Sequence, residues 1–505
     1  MNDVINAAET ITIPKAEYES LKQQVAWLMG QLKLSQHRQY GVSSEKSEYD
    51  QLNLFNEVES AADMSAAKPE IEEVKAYRRK RSRATTDRLP PDLPVEVIEH
   101  ELPEEQRFCQ ECGGHLHVMG RESREELKLI PAQAAIVRHV RHVYACRNCE
   151  KTGDSVPIVK APMPEPVIKG SFASPEAVAH IAVQKFVMGV PLYRQEQEWE
   201  RNGIKLSRQT MSNWLLRCAE DWVKPVYDRL HDMLCTAEIL HADETTHQVL
   251  HEPGRIAQSK SYMWLYRTSG DAERQIVLYD YQVSRSGKHP AAFLKGFRGL
   301  LHTDGYAGYH SRLPDQVTVV GCWAHVRRKF DEALKVLKEK DRIGSSALCG
   351  KQFCDRLSAL ERDYAELPPT ERYKARLSQS KPVMEEFFAW AEHVGALPKT
   401  LLGKAVRYAL GQRRWLSNVL LDGRAELSNN RAERSIKPFV IGRKNWLFSN
   451  TPNGATASAI LYSVVETAKE NGLNPYEYLS RLFHEAPNLP AGESIDVLLP
   501  WKLSG

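Results

Sequence analysis

Apolar and polar positions change period several times along the 505-residue chain, and each change marks an element. Between Tyr18 and Leu34 the apolar positions Leu21, Val25, Leu28 and Leu32 recur in steps of four and three, the seam of a short coiled coil that would self-associate. The pattern covers under three heptads, so an amphipathic helix packed on its own protein is an equal reading. Residues 56–94 carry no period. They are rich in Ala, Glu, Lys, Arg, Pro and Ser, end in LPPDLP, and read as a flexible basic linker. After a β-branched run, AAIVRHVRHVYA, and a Pro-rich joint, VPIVKAPMPEPVIKG, the stretch SPEAVAHIAVQKFVMG predicts a helix capped by Ser174 with Pro175 in its first position. A boundary near residue 165 follows. The run ERNGIKLSRQTMSNWLLRCAEDW then predicts a helix, a Gly-containing turn, a Ser207 cap and a second helix. Arg208, Gln209, Thr210 and Asn213 suit a DNA recognition helix, while Met211, Trp214 and Leu215 would also pack a plain helical hairpin.

From residue 237 the period drops to two. AEILHADETTHQVL, SYMWLYRTSG and RQIVLYDYQVS predict a three-stranded antiparallel meander, KHPAAFLKGFRG a helix, GLLHTDGYAGY a fourth strand ending at Asp304, and VTVVGCWAH a fifth. Taken as three antiparallel strands, a helix, a strand, a helix and a strand, this is the order of an RNase H-like α/β sheet. First and fourth strands adjoin in that arrangement, so Asp243, in mid-strand, would meet Asp304. Facing carboxylates raise one another's pKa unless a cation neutralises them, and hard oxygen ligands select Mg2+ or Mn2+. Two such ions roughly 3.5–4 Å apart activate a water or a 3'-hydroxyl and stabilise the leaving oxygen of a phosphodiester. A third acid is expected in LSNNRAERSIKPFVIGRKNW, where Glu433 stands among Asn429, Asn430, Arg431 and Arg434, side chains able to hold a nucleic-acid backbone. Arg443 and Lys444 lie further along, and Lys437, directly before Pro438, reads as the end of a helix. Sixty-one positions separate the two aspartates and 129 separate Asp304 from Glu433, and the helix-rich stretch of about 330–420 fills the longer gap as an insertion.

Composition narrows the setting. The hydrophobic share of 42% and charged share of 26% are those of a soluble globular protein, and the length suggests about three or four domains. No apolar run approaches the roughly 18 residues of a membrane span, so no membrane partner is expected. Without a basic segment followed by an apolar core at the N-terminus, the expected compartment is the cytoplasm. A net charge of +3 says little, but runs such as YRRKRSR at 77–83 concentrate positive charge where a polyanion would feel it. Of nine cysteines, four form two C-x2-C pairs, Cys109 with Cys112 and Cys146 with Cys149, thirty-three residues apart. Four thiolates close a tetrahedral Zn2+ site with no open position, which is structural, with a redox pair as the lesser alternative. His115, His117, His139 and His142 nearby read as surface imidazoles. Cys322-x-x-His325 has the spacing of half a metal site and is read as structural. His241 and His302, each two residues before an aspartate, are either partners of the acids or strand residues facing the core.

The runs HADET, HTDGYAGY, GCWAHVRRKF and LSNNRAERSIKPFVIGRKNWLFS resemble the signature blocks of the IS66 family of insertion-sequence transposases. CQEC to CRNC resembles the family's zinc-binding module, and SVVETAKENGLNPYEYL and VLLPW match its C-terminus, so the likeness runs from about residue 17 to the end. It implies a DDE-class enzyme with two divalent ions held by Asp243, Asp304 and Glu433. The fold it implies is multidomain α+β: a zinc-binding module, a helix-turn-helix region, and an RNase H-like α/β catalytic core with a helical insertion. The expected domains are an N-terminal helical segment at 1–55, the linker at 56–94, the zinc module at 95–160, the helix-turn-helix region at 165–235, the core at 236–470 and a C-terminal segment at 471–505. Such an enzyme would bind double-stranded DNA at the element's ends and at a target, act as a homo-oligomer on DNA, and associate with the nucleoid when bound. The resemblance leaves room for small accessory transposition proteins. A zinc-containing DNA-binding regulator with a degenerate core and a structure-specific nuclease are the alternatives.

Overall fold

The computed structural model describes residues 134–145 and 158–503, together with Val25 and Met29. The rest of the expected coiled-coil segment, the linker at 56–94, and all four cysteines of the C-x2-C pairs lie outside the described residues. Apart from Val25 and Met29, the described residues divide between Ala161 and Pro162 into two compact units. In the smaller, β1 (Val143–Ala145), the end of the β-branched run preceding the second cysteine pair, pairs antiparallel with β2 (Ile158–Lys160).

The larger unit opens with helices. α1 (Pro175–Phe186) starts where Ser174 accepts a hydrogen bond from Ala177 N, with proline in the first turn where no intrahelical N–H is needed. α2 (Leu192–Arg201) and α3 (Arg208–Cys218) are joined by a turn through Gly203, at φ 77°, and Ser207 caps α3 by accepting from Thr210 N. The pair forms a helix-turn-helix-like unit. Met211, Trp214 and Leu215 are buried beneath it, while Arg208, Gln209 and Asn213 face solvent and Thr210 is half-buried. A wide helical turn leads into α4 (Lys224–Cys235).

Next comes a five-stranded mixed sheet of order β5-β4-β3-β6-β7. β3 (Ile239–Gln248), β4 (Lys260–Thr268) and β5 (Val277–Gln282) are antiparallel; β6 (Gly299–His302) and β7 (Val317–Val320) run parallel to β3. α5 (Lys288–Phe293) connects β5 to β6. Two details differ from the expected pattern. The fourth strand ends at His302, before Asp304, and the link to β7 holds only a 3-10 turn at Ala307–Tyr309 in place of a helix. Gly305, Gly308 and Pro314 lie within this short link, and glycine and proline are poor helix interiors.

Both sheet edges are covered. On the β5 side, α13 (Pro452–Glu470) lends its hydroxyls to the free backbone edge: Tyr279 N donates to Ser463 Oγ at 2.7 Å and Val277 N to Thr467 Oγ1 at 3.0 Å. On the β7 side, Asn418 Nδ2 donates to Val319 O at 2.8 Å and Gly321 N to Trp415 O at 2.9 Å.

From β7 to residue 417 the chain is helical: α6 (Trp323–Lys335), α7 (Ser346–Asp363), α8 (Pro369–Ala375), α9 (Lys381–His393), α10 (Leu401–Gly411) and α11 (Arg413–Ser417). These helices have a core of their own, built on Trp323, Phe330, Leu357, Phe387 and Phe388. Arg376, buried at its heart, is held by both Glu361 oxygens at 2.8 and 2.7 Å and by the Asp422 carbonyl at 2.9 Å, so its charge is paired and its donors are used.

α12 (Asn430–Trp446) then returns to the sheet, followed by α13 and α14 (Pro475–Glu485). The helix end expected at Lys437 is absent. α12 continues through Pro438 for two further turns, because its apolar positions Ala432, Ile436 and Phe439 are buried on one side and that burial outweighs the single intrahelical hydrogen bond proline removes. It ends at Leu447, at φ 65°, the one non-glycine residue of positive φ among the described residues.

Candidate active site

Strand alternation places His241 and Asp243 on one face of β3, and the β3–β6 register pairs His241 with His302, so Asp304 follows beside Asp243. The two imidazoles are fully buried and stack in parallel planes with centroids 5.0 Å apart. Burial holds both histidines neutral, with pKa values near 3. Asp304 sits in a turn that its own Oδ1 closes by accepting from Tyr306 N at 2.9 Å.

Glu433 comes from the first turn of α12, and Asn429 fixes where that turn begins. Its Nδ2 donates to Ala242 O at 2.8 Å, its Oδ1 lies 3.0 Å from His241 Nδ1, and its backbone N donates to Cys322 Sγ at 3.1 Å. Glu433 N in turn donates to Asn429 O at 3.1 Å. Asn429 thus ties the helix bearing Glu433 to the strand bearing Asp243 through its side chain and to the start of α6 through its backbone. From α6, Arg328 Nη2 reaches the two Glu433 oxygens at 3.0 and 3.4 Å, and His325 Nδ1 lies 3.6 Å from Oε1.

Electrostatics bind the three acids into one neighbourhood. Burial raises the Asp243 carboxyl well above the usual range, and the charges of Glu244, Asp304 and Glu433 raise it further, against a 2.8 Å hydrogen bond from Glu244 N. Glu244 projects to the opposite face. There it accepts from Arg285 Nε and Tyr309 OH, each at 2.7 Å, and its pKa is raised by burial and by Asp304. Arg285 also comes within 3.9 Å of Asp304. A cluster of acids that raises a buried member's pKa, with the Arg285 and Arg328 guanidiniums on its rim, is a donor set suited to a hard divalent cation. The carboxylates are not yet gathered round one point: among the described residues no three His, Cys, Asp or Glu side chains stand close enough to share an ion.

Residues 170–457, which include all three acids, match the family model described as Transposase IS66 family. The chain belongs to the IS66 transposase family. Further models match residues 106–150 (zinc-finger binding domain of transposase IS66), 27–98 (Transposase C of IS166 homeodomain) and 463–501 (IS66 C-terminal element). All four cysteines of the C-x2-C pairs fall in the zinc-finger span. The chain is 30% identical to the uncharacterised protein y4qI of Sinorhizobium fredii (strain NBRC 101917 / NGR234), over 98% of this chain and 92% of that protein. It is 31% identical to the uncharacterised protein y4jD of the same organism, over 82% of this chain and 81% of the other. Among the described residues no helix is long and apolar enough to cross a membrane.

Within this IS66 transposase the basic residues do not share one surface. Arg431 pairs with Glu426 and lies against Gly270, where a Cβ would come within 2.2 Å of its Nη2. Two helical positions turn a side chain through about 200°, so Arg431 faces away from Glu433. Arg434 and Lys444 are exposed, and Arg443 Nη1 rests 3.3 and 3.4 Å from the Thr245 and Thr246 hydroxyls. On α3, Gln209 donates to Asn213 at 3.0 Å and Arg208 N to Glu196 at 3.0 Å. The thiol of buried Cys322 serves the Asn429 backbone, whereas His325, three residues on, faces Glu433. Sequence reasoning passed over Arg285, Glu244 and Arg328. Glu244 and Arg328 lie inside the HADET and GCWAHVRRKF runs, but Arg285 carries no local signal.

Proposed function

We propose that the protein is a DDE transposase that binds the terminal inverted repeats of its element, cleaves there, and joins the 3'-hydroxyls to target DNA by in-line attack. The observation that carries this reading is the shared neighbourhood of Asp243, Asp304 and Glu433, brought from a strand, the turn that follows its neighbouring strand and a distant helix. The sheet, with its order β5-β4-β3-β6-β7 and helices 323–421 inserted before α12, supports an RNase H-like core at 236–470 with an insertion at about 330–420. We assign the other domains as expected: an N-terminal helical segment at 1–55, linker at 56–94, zinc module at 95–160, helix-turn-helix at 165–235 and C-terminal segment at 471–505.

Mg2+ or Mn2+, bound by the three carboxylates, would supply Lewis acidity at the phosphodiester. The chain's own groups prepare that site. Asn429 sets the position of Glu433, and Arg285 and Arg328 neutralise the acidic site through contacts that a bound cation would replace, which would leave both guanidiniums to face DNA phosphates. Arg208, Gln209, Thr210 and Asn213 would read the ends, while Arg434, Arg443 and Lys444 would steady the backbone; Arg431, paired with Glu426 and turned away from Glu433, would hold the start of α12 instead. Cys109, Cys112, Cys146 and Cys149 would hold structural Zn2+. A homo-oligomer on DNA, nucleoid association when bound, and small accessory proteins complete the proposal.

Competition between Arg328 and the cation is measurable. An exposed ion pair is worth about 0.2–1 kcal/mol, so Arg328→Ala is expected to tighten Mn2+ binding by about 1.4- to fivefold, read by titration calorimetry without DNA. Weaker binding in the variant would remove Arg328 from this role.

The whole reading is tested with purified protein, labelled duplexes bearing the element's ends, and Mg2+. Cleavage confined to the terminal repeats followed by joining is expected. Binding without strand transfer would point to a regulator, and cutting of branched DNA regardless of terminal sequence to a nuclease.

A further inference from the structure

α12 exposes one stripe along its length. Arg434, Ile441 and Lys444 face solvent and Lys437 is half-exposed between them, in helical steps of three and four that start beside Glu433. Beyond the stripe the chain makes a γ-turn. Phe448 N donates to Trp446 O at 2.8 Å across Leu447, whose φ of 65° and ψ of −53° belong to the strained hand of that turn.

The turn is held from both sides. Leu447 N donates to Arg443 O at 2.7 Å; after it, Ser449 N donates to Gln248 O at 3.0 Å and the Ser449 hydroxyl lies 2.9 Å from His247 Nε2. Glycine would adopt this backbone without strain. Leucine stands there instead, and its side chain contributes little to the core, for Leu447 is 62% exposed and Phe448 beside it 41%. Retained strain in a non-glycine residue that folding does not require points to a ligand contact.

A partner must match basic residues along the helix and two apolar side chains at its end. Duplex DNA has that chemistry, phosphates outside and stacked bases within, and apolar wedges enter between base steps. From Glu433 to Leu447 is fourteen residues of helix, about 21 Å at the usual rise, or about six base pairs. We propose that Leu447 and Phe448 form a wedge that unstacks the duplex about six base pairs from the bond cleaved, with Arg434, Lys437 and Lys444 on the intervening phosphates. This rests on the reading that DNA is held at Asp243, Asp304 and Glu433.

Duplexes of the element's terminal sequence, each with one adenine replaced by 2-aminopurine, test it with the full chain. A rise in fluorescence on binding is expected in a window centred about six base pairs from the cleavage point. That rise should be lost in Phe448→Ala and in Leu447→Gly. Leu447→Gly should also melt at a higher temperature than wild type, which separates loss of the wedge from loss of the fold. A rise persisting in both variants, or no local rise in wild type bound to DNA, overturns the wedge. Normal cleavage with no unstacking would sink the wedge alone; unstacking without cleavage would sink the catalytic reading and leave the wedge standing.

Discussion

Asp243→Asn is expected to cut element ends at least about 10^3-fold more slowly than wild type, a rise of about 4 kcal/mol in the barrier, while binding DNA at least as tightly. The same substitution should make the metal-free protein more stable at neutral pH. Burial is the largest cause of the raised Asp243 pKa, with Glu244 and Asp304 next. A carboxyl whose folded pKa lies above its unfolded value contributes stability fully below the unfolded pKa, near 3.9, and loses that contribution as pH rises through the folded value. Asparagine does not ionise and escapes the loss. The gap in melting temperature between variant and wild type, measured in chelator, should therefore open from acid towards neutral pH. A variant that cleaves normally, or one no more stable than wild type at neutral pH, would refute the assignment of a buried, repelled carboxylate.

Asn429→Ala should be the most costly single change near the acids that leaves the acids themselves in place. It strips His241 Nδ1 and the Ala242 carbonyl of a partner in a fully buried setting, and each such loss costs about 1–3 kcal/mol. A destabilisation of about 2–4 kcal/mol is expected by urea denaturation. Activity should fall further than folding explains, on the order of 10^2-fold at a temperature where the variant is fully folded, because a small shift of α12 moves Glu433 off its geometry. A variant losing stability without that extra loss would show that Asn429 supports the fold alone.

Much of this arrangement was legible along the chain, because it depends on local period. The alternation through AEILHADETTHQVL placed Asp243 on a strand, the order of β-rich runs set β3 beside β6, and Ser174 and Ser207 cap the helices their sequences announce. Glu433 was singled out by the Asn and Arg residues around it and by its motif, since nothing in a helical glutamate shows what it will face 105 residues away at Arg328. Asn429 presents the same difficulty. Its contact with His241 spans 188 residues and exists only once helix and strand pack. Pro438 misled for the opposite reason: a local rule about proline gave way to burial along the whole of α12.

The covering of both sheet edges bears on how subunits would meet. β5 has its outward amides taken by Ser463 and Thr467, and at the other margin Val319 O is taken by Asn418. Side chains thus occupy part of the outward backbone at both margins of this five-stranded sheet, which disfavours its growth from one copy to the next. Copies of this chain brought together on two DNA ends would then have helical faces and the nucleic acid itself to meet through, rather than a shared extension of this sheet.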